Sequence, residues 1–579
     1  MSFLLWVGVV TSAWAMPVDH VAFVVDVDGP LAEVVIEQTF HNDTDEVIEA
    51  VYAFPLHEGA AVDRMQMEVG DRLIDGVIRE REQAETDYAE AIDAGHTAAL
   101  TTQQRPNLFT QTVGNIGPGE EVVVRLRLVQ PVPHVDGAYE LVLPLVAAPR
   151  FVAPDELDTV FPPTQPSHDR SEAGPPMVPL DTGLRATVDV LIVSGLPFTS
   201  FASPSHDVGI TEVVDLARAV VTEVPMDRDF VLRWGVSQER PVAAVHVMDD
   251  HALLTLEPPE APPREQVVAR EMIWVIDQSC SMGGKPLQLV RRSMLEALDH
   301  MDARDSVRIL RFSDRVEGDA ASWPVTRANR SRAEHAIRQL DARGGTYLLD
   351  GVLAALQTPP DPGRERMVMF LTDGLIGTEY QVLAAIADEV GDARLFAFGV
   401  GPASNRWLLD EMARFGGGKT TWLRDGESPE DAMQRFVDTI NTPVLTDIEV
   451  DWGDWEVEEP WPRRLPALYA GQPLMITTRV VQRGTTPVVV TGRLGDGPFE
   501  AVIEPVDAAE GRSIPSTWAR QKIAHLERDQ VWGEVPDIAD EILATSLDYQ
   551  VLSQYTAFLA VDRGRVLDAT GGRRVEQPA

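Results

Sequence analysis

The sequence predicts a chain of mixed α/β and β class, in which a doubly wound parallel-sheet domain is flanked by a β-sandwich-rich hub. Three observations point there. Between about residues 264 and 442, solid apolar runs alternate with amphipathic helical segments. On both sides of that stretch, apolar residues recur with period two in short runs. Proline-rich breaks separate the two kinds of pattern.

In the N-terminal flank, Ala32-Glu-Val-Val-Ile-Glu-Gln-Thr-Phe40 and Glu121-Val-Val-Val-Arg-Leu-Arg-Leu-Val129 alternate as antiparallel strands with one buried face do. Ala84 to Ala94 instead has helical composition and stops at Gly95. Residues 148–180 hold Phe161-Pro-Pro-Thr-Gln-Pro166 and Gly174-Pro-Pro176 without apolar periodicity, the mark of a linker or long surface loop. Strands resume at Ala186–Val193, Ala219–Val224 and Asp229–Trp234, and the stretch closes at Glu257-Pro-Pro-Glu-Ala-Pro-Pro263.

The central runs Met272–Ile276, Val307–Phe312, Met367–Leu371 and Leu395–Val400 read as buried parallel strands. Leu287, Val290, Met294 and Leu298 recur at helical spacing between the first two, as a helix covering such a sheet requires. Beyond about Pro443, strands are expected at Leu474–Val480, Val488–Leu494 and Phe499–Ile503, and helices at Thr517–Leu526 and Ile538–Tyr549. No repeat of fixed period is present.

A chain of 579 residues exceeds one hydrophobic core, and its length suits roughly three or four domains. Its 49 Lys and Arg face 91 Asp and Glu, a formal net charge of -42 with no sustained basic run. That balance argues against nucleic acid and anionic membranes as partners and favours cations and basic surfaces, although solubility alone would explain it. Cys280 is the only cysteine, so no intrachain disulfide can form. Residues 1–15 place a short apolar run before Ala13-Trp-Ala15, the pattern of a signal peptide, and imply an exported protein, secreted or periplasmic/extracellular. A buried N-terminal strand is the other reading of that run. No later segment approaches the ~20 apolar residues of a membrane span.

The chemistry concentrates at the ends of two central strands. Asp277-Gln-Ser-Cys-Ser281 follows the first and Thr372-Asp373-Gly374 follows another, while Thr346 closes Gly344-Gly-Thr346 in a loop between them. Ligands of open α/β sheets bind outside the carboxyl ends of the strands where strand order reverses, so these segments converge on one crevice. Asp277, Ser279, Ser281, Thr346 and Asp373 offer two carboxylates and three hydroxyls, hard oxygen donors suited to Mg²⁺, with Mn²⁺ or Ca²⁺ as alternatives. A position left to water around such an ion is open to a carboxylate from a partner.

These residues resemble the metal-ion-dependent adhesion site of the von Willebrand factor type A domain, whose motif is Asp-x-Ser-x-Ser with a distant Thr and a distant Asp. Cys280 stands where that family usually has glycine, so its Cβ is expected to strain the loop or shield the ion. Upstream, Glu49-Ala-Val-Tyr-Ala-Phe-Pro-Leu56, Gly70-Asp-Arg72, Gln104-Arg-Pro-Asn-Leu-Phe-Thr110 and Asn115-Ile-Gly-Pro-Gly-Glu120 resemble the vault protein inter-alpha-trypsin (VIT) domain. The pairing is similar to the inter-alpha-trypsin inhibitor heavy chains and their bacterial relatives. Leu474–Leu494 and Leu547–Val561 extend the resemblance, which implies a type A domain inserted into a hub made from both flanks. The expected division is a signal peptide at 1–15, a VIT domain at 16–147, a linker at 148–180, hub segments at 181–263 and 443–579, and a type A domain at 264–442.

The resemblance implies a non-enzymatic adhesion protein that uses the metal to recognise an acidic group on a protein partner. Two rivals stand beside it: an envelope protein in which the metal only stabilises, and a hydrolase using Ser279, Cys280 or Ser281. The hydrolase lacks a histidine near the loop, with His335 distant in sequence, and has no Gly-x-Ser-x-Gly elbow. His41, His57 and His96 show no zinc-ligand spacing. The chain ends Val575-Glu-Gln-Pro-Ala579, without the terminal Asp-Pro that the heavy chains use for covalent transfer or the sorting motif of some bacterial relatives.

Overall fold

Alternating burial along the N-terminal strands shows why they form sheets: in Leu31–His41, buried residues occupy every second position from Ala32 onwards. A computed structural model describes residues 18–57, 59–105, 107–135, 138–145, 184–236, 241–258, 268–372, 379–399, 406–418, 420–422, 443–463, 465–469, 473–494, 497–508, 511–531, 537–567 and 572–577. The expected signal peptide at 1–15 and linker at 148–180 lie outside the described residues.

Three sheets share one N-terminal core. An eight-stranded sheet runs Gly209–Val213, Leu216–Pro225, Arg185–Val193, Val18–Asp28, Leu31–His41, Glu121–Pro131, Ala61–Val69, Arg72–Asp75. Its pairings are antiparallel except for Val18–Asp28 beside Arg185–Val193, a parallel pair among the antiparallel strands that the alternation suggests. A four-stranded sheet joins Ala138–Leu143 to Phe230–Val236. The third sheet has six strands, ordered Arg573–Gln577, Ile48–Pro55, Leu108–Ile116, Thr97–Arg105, Thr556–Asp562, Val77–Glu80. Phe23, Leu126, Tyr52, Phe109, Trp234 and Phe558 meet in the core between them. Sheet pairing spans the expected linker at 148–180. Strands 185–236 complete sheets begun by residues 18–143, and Thr556–Asp562 is hydrogen-bonded on both of its edges by N-terminal strands. The reason is that each early strand buries one face and still has two hydrogen-bonding edges to satisfy.

A second β body joins Val242–Met248 and His251–Glu257 to Leu474–Gln482 and Glu456–Trp461. The helices Ser513–Val531 and Ile538–Tyr549 fasten it to the first body. Trp518, Ile523 and Ile542 pack with Ala61 and Trp461, and Ser516 donates to the buried Asp63 carboxylate at 2.5 Å.

Between these flanks lies the α/β domain. Its sheet is ordered Val316–Gly318, Ser306–Phe312, Arg270–Asp277, Glu365–Thr372, Arg394–Gly399, Thr420–Trp422. The four longest strands are parallel. Lys285–Asp299 and Arg327–Arg338 cover one face through Leu287, Val290, Met294 and Ile337. Leu348–Leu356, Glu379–Glu389 and Arg406–Phe415 cover the other through Val352, Ile386 and Leu409. Burial on both faces explains the unbroken apolar runs. The charged starts of these strands are paired: Arg270 bonds Asp305 at 2.7 Å and Arg366 bonds Glu271 at 2.7 Å.

Candidate metal centre

The chain leaves Arg270–Asp277 toward Ser306–Phe312 on one side, then returns to place Glu365–Thr372 on the other. Strand order therefore reverses between Arg270–Asp277 and Glu365–Thr372, and the crevice lies beyond their carboxyl ends. Asp277 is the last residue of the first strand and is 0% exposed. Its Oδ1 accepts the Ser279 backbone N–H at 2.7 Å, and its Oδ2 accepts the Thr372 hydroxyl at 2.6 Å. The carboxylate is thus fixed from two sides.

Beyond Asp277 the chain makes a short 3₁₀ turn, Cys280–Met282, with the Met282 N–H donating to the Ser279 carbonyl at 3.1 Å. The turn aims both serines the same way, and their Oγ atoms lie 2.9 Å apart. Ser279 is buried and Cys280 is exposed. The strain expected of Cys280 is not found: among the described non-glycine residues with positive φ, Cys280 is absent, because a 3₁₀ turn keeps φ negative. Nothing in its conformation demands glycine.

The loop carrying Thr346 is tied to this turn by backbone bonds. The Cys280 N–H donates to the Gly344 carbonyl at 3.2 Å, and the Arg343 N–H donates to the Gln278 carbonyl at 2.5 Å. Gly344 has φ +73°, and a Cβ there would stand 2.5 Å from Asp314 Oδ2. Asp314 Oδ1 in turn accepts the Gly345 N–H at 2.7 Å, and Tyr347 donates its N–H to the Ser313 carbonyl at 3.1 Å. Thr346, half-buried, leads directly into the helix Leu348–Leu356. Asp373 lies outside the described residues, immediately after Thr372.

The structure therefore brings Asp277, Ser279 and Ser281 into one cluster and pins the Thr346 loop against it. Sequence reasoning placed Thr372 at the crevice without a role, where it orients Asp277, and missed Asp314, which braces the glycine loop. Thr372 was findable as a polar residue at the carboxyl end of a neighbouring strand, where such sheets bind ligands.

The donors fit a hard divalent cation. Two oxygens at adjacent corners of an octahedron with metal–oxygen distances of about 2.0–2.1 Å are about 2.9 Å apart, and the serine hydroxyls already have that spacing. The set contains no imidazole, and the thiol of Cys280 is not needed to complete it. Among the described residues there is no cluster of three or more His, Cys, Asp or Glu side chains placed to hold a metal. Among the described residues, the Ser279 hydroxyl is hydrogen-bonded to that of Ser281.

The model of the vault protein inter-alpha-trypsin domain matches residues 18–128, and that of the von Willebrand factor type A domain matches residues 270–421. A von Willebrand factor A domain-containing protein of Dictyostelium discoideum is 22% identical, over 90% of this chain and 56% of its own length. Inter-alpha-trypsin inhibitor heavy chain H3 of Mus musculus is 24% identical, over 90% of this chain and 60% of its own. The chain spans between 56% and 62% of the length of the curated relatives it matches first. Among solved structures, a von Willebrand factor type A protein from Catenulispora acidiphila is 16% identical with a TM-score of 0.37, covering 62% of this chain and 89% of its own. Residues 18–128 thus form a vault protein inter-alpha-trypsin domain and residues 270–421 a von Willebrand factor type A domain, in a chain similar along most of its length to the inter-alpha-trypsin inhibitor heavy chains.

Proposed function

We propose that this chain is an exported, non-enzymatic binding protein that captures an acidic group of a protein partner through a divalent cation, Mg²⁺ foremost, held by Asp277, Ser279, Ser281, Thr346 and Asp373. The observation that carries the reading is the pair of serine hydroxyls 2.9 Å apart at the sheet's switch point, above a buried aspartate whose two oxygens are already oriented. The bound ion supplies a Lewis-acidic position for an incoming carboxylate. The chain's own residues do the rest: Thr372 and the Ser279 N–H orient Asp277, and the Gly344 and Gln278 carbonyls hold the two loops together. Similarity to proteins built from type A domains and to the inhibitor heavy chains supports a role in protein interaction. Export rests on the run before Ala15. Among the described residues no helix is long and apolar enough to cross a membrane.

The test is Mn²⁺ binding by calorimetry together with capture of protein partners from an extracellular or envelope extract, with and without EDTA. Wild type should bind one ion and capture partners only when it is present. Asp277→Ala, checked for an intact fold by circular dichroism, should lose both. Capture that survives EDTA and Asp277→Ala would sink metal-mediated recognition and leave a stabilising metal. Hydrolytic turnover abolished by Ser279→Ala or Cys280→Ala would favour an enzyme instead.

A further inference from the structure

The shoulder of the metal crevice carries an arrangement of charge unlike the rest of this acidic chain. Arg315, Arg343 and Arg311 all approach one carboxylate, that of Glu317, at 2.6, 2.8 and 4.0 Å. Three guanidiniums around a single glutamate leave cationic donors to spare. Arg315 and Arg343 are also the most open of the three, at 79% and 57% exposed, so their unused N–H groups face solvent. Hydrogen bonding from Arg315 and the charges of Arg343, Arg315 and Arg311 hold the Glu317 carboxyl below its ordinary range, against a smaller opposing effect of burial.

Their position ties them to the crevice. Arg343 immediately precedes Gly344-Gly-Thr346, and its N–H is bonded to Gln278 of the serine loop. Arg315 immediately follows Asp314, whose carboxylate braces Gly345. Beside Thr346, Tyr347 exposes 56% of its surface, an aromatic face of the kind that anchors protein interfaces. Asp314 and Asp341 balance the local count, yet Asp314 is turned onto Gly345. In a chain of net charge -42, a shoulder whose three arginines match its three carboxylates and whose Arg315 and Arg343 reach solvent is far less acidic than the chain as a whole. Rim charges of this kind select partners and speed encounter by complementarity.

We infer that Arg315 and Arg343, with Tyr347 beside them, form a secondary contact surface that selects a partner segment carrying several clustered carboxylates, one for the metal and others for the guanidiniums. The inference rests on the metal-mediated reading above and narrows its partner from any carboxylate to an acidic stretch of polypeptide. Guanidinium forks bind carboxylates bidentately, which a lysine at the same place would not do.

The test uses the full chain in low-salt buffer with Mn²⁺, a fluorescent hexaglutamate peptide, and a control peptide with a single glutamate among glycines and serines. Arg315→Gln/Arg343→Gln should weaken hexaglutamate binding by about tenfold, as two exposed charge contacts are worth together. The same variant should change single-glutamate binding less than about twofold and leave Mn²⁺ affinity at the wild-type level, since it removes none of the donor oxygens and keeps the Arg343 backbone N–H on Gln278. Equal hexaglutamate affinity in variant and wild type, with Mn²⁺ still bound, overturns the arginine surface and leaves the metal reading standing. Hexaglutamate binding indifferent to EDTA overturns the metal reading and this refinement with it. A heparin hexasaccharide that binds more tightly than hexaglutamate overturns the assignment to polypeptide.

Discussion

Thr372 donates its hydroxyl to Asp277 at 2.6 Å inside a fully buried pocket, and a hydrogen bond to a charged, desolvated group is among the more valuable single contacts in a fold. Thr372→Val keeps the shape and removes that donor. It should cost about 1–3 kcal/mol of stability in denaturant titration and weaken Mn²⁺ binding in calorimetry, because Asp277 loses one of the contacts that orient it. Cys280 behaves differently, since it is exposed and relaxed in its turn. Cys280→Ser should leave Mn²⁺ affinity within about twofold of wild type, the ordinary outcome for a surface substitution away from packing and strain. A large gain would show that the thiol shields the ion after all. Asp277, Ser279 and Ser281 were legible because they fall within five consecutive residues after an apolar strand. Asp314 was not, because it works on a backbone N–H, and any polar side chain at a strand end is compatible with that duty.

At the scale of elements, one strand does more than its place in the sequence suggests. Thr556–Asp562 pairs with Thr97–Arg105 along one edge and Val77–Glu80 along the other, and Arg72 clamps its end through Asp562 at 2.6 Å. Phe558 enters the N-terminal core with Ala99 and Tyr52. Phe558→Ala should therefore destabilise the N-terminal body by about 3–5 kcal/mol, as deletion of a buried aromatic does. Hydrogen exchange would check it, with lost protection expected in Thr97–Arg105 rather than only near the chain end. Helix and strand positions within these elements were mostly readable. The helix expected at Ala84–Ala94 is found at Arg81–Asp93, and that expected at Thr517–Leu526 extends over Ser513–Val531.

The whole molecule is coupled at the base of the type A domain, on the edge opposite the metal crevice. Leu468–Tyr469 from the C-terminal flank reaches into the type A domain, where Tyr469 packs with Phe396 and lies under the Arg394 guanidinium. Glu365, 3.9 Å from Arg394, has its carboxyl pushed up to about 7, first by burial and then by Asp447 and Asp392, with Arg394 and Arg493 opposing. The folded chain thus holds this proton over a range where the unfolded chain has released it. The resulting stability is full below the ordinary glutamate value and is lost as pH rises through about 7. Glu365→Gln should be more stable than wild type at pH 8 by on the order of 1–3 kcal/mol and no more stable at pH 4, as read by denaturant titration at both values.

Local pattern by itself determined that the centre is a doubly wound α/β domain, that the flanks are strands with one buried face, and that the hard oxygen donors cluster after Asp277. Those features depend on periodicity and on residues adjacent in the chain. Only the tertiary structure decided which strands are neighbours. Alternation tells which face of a strand is buried, but both hydrogen-bonding edges look alike from the sequence, so nothing local announces that residues 556–562 belong between 77–80 and 97–105. The shoulder of arginines was hidden for the same reason. Arg315 and Arg343 are separated in sequence and meet only because the loop after the strand Ser306–Phe312 and the loop after the helix Arg327–Arg338 are bonded together at the crevice.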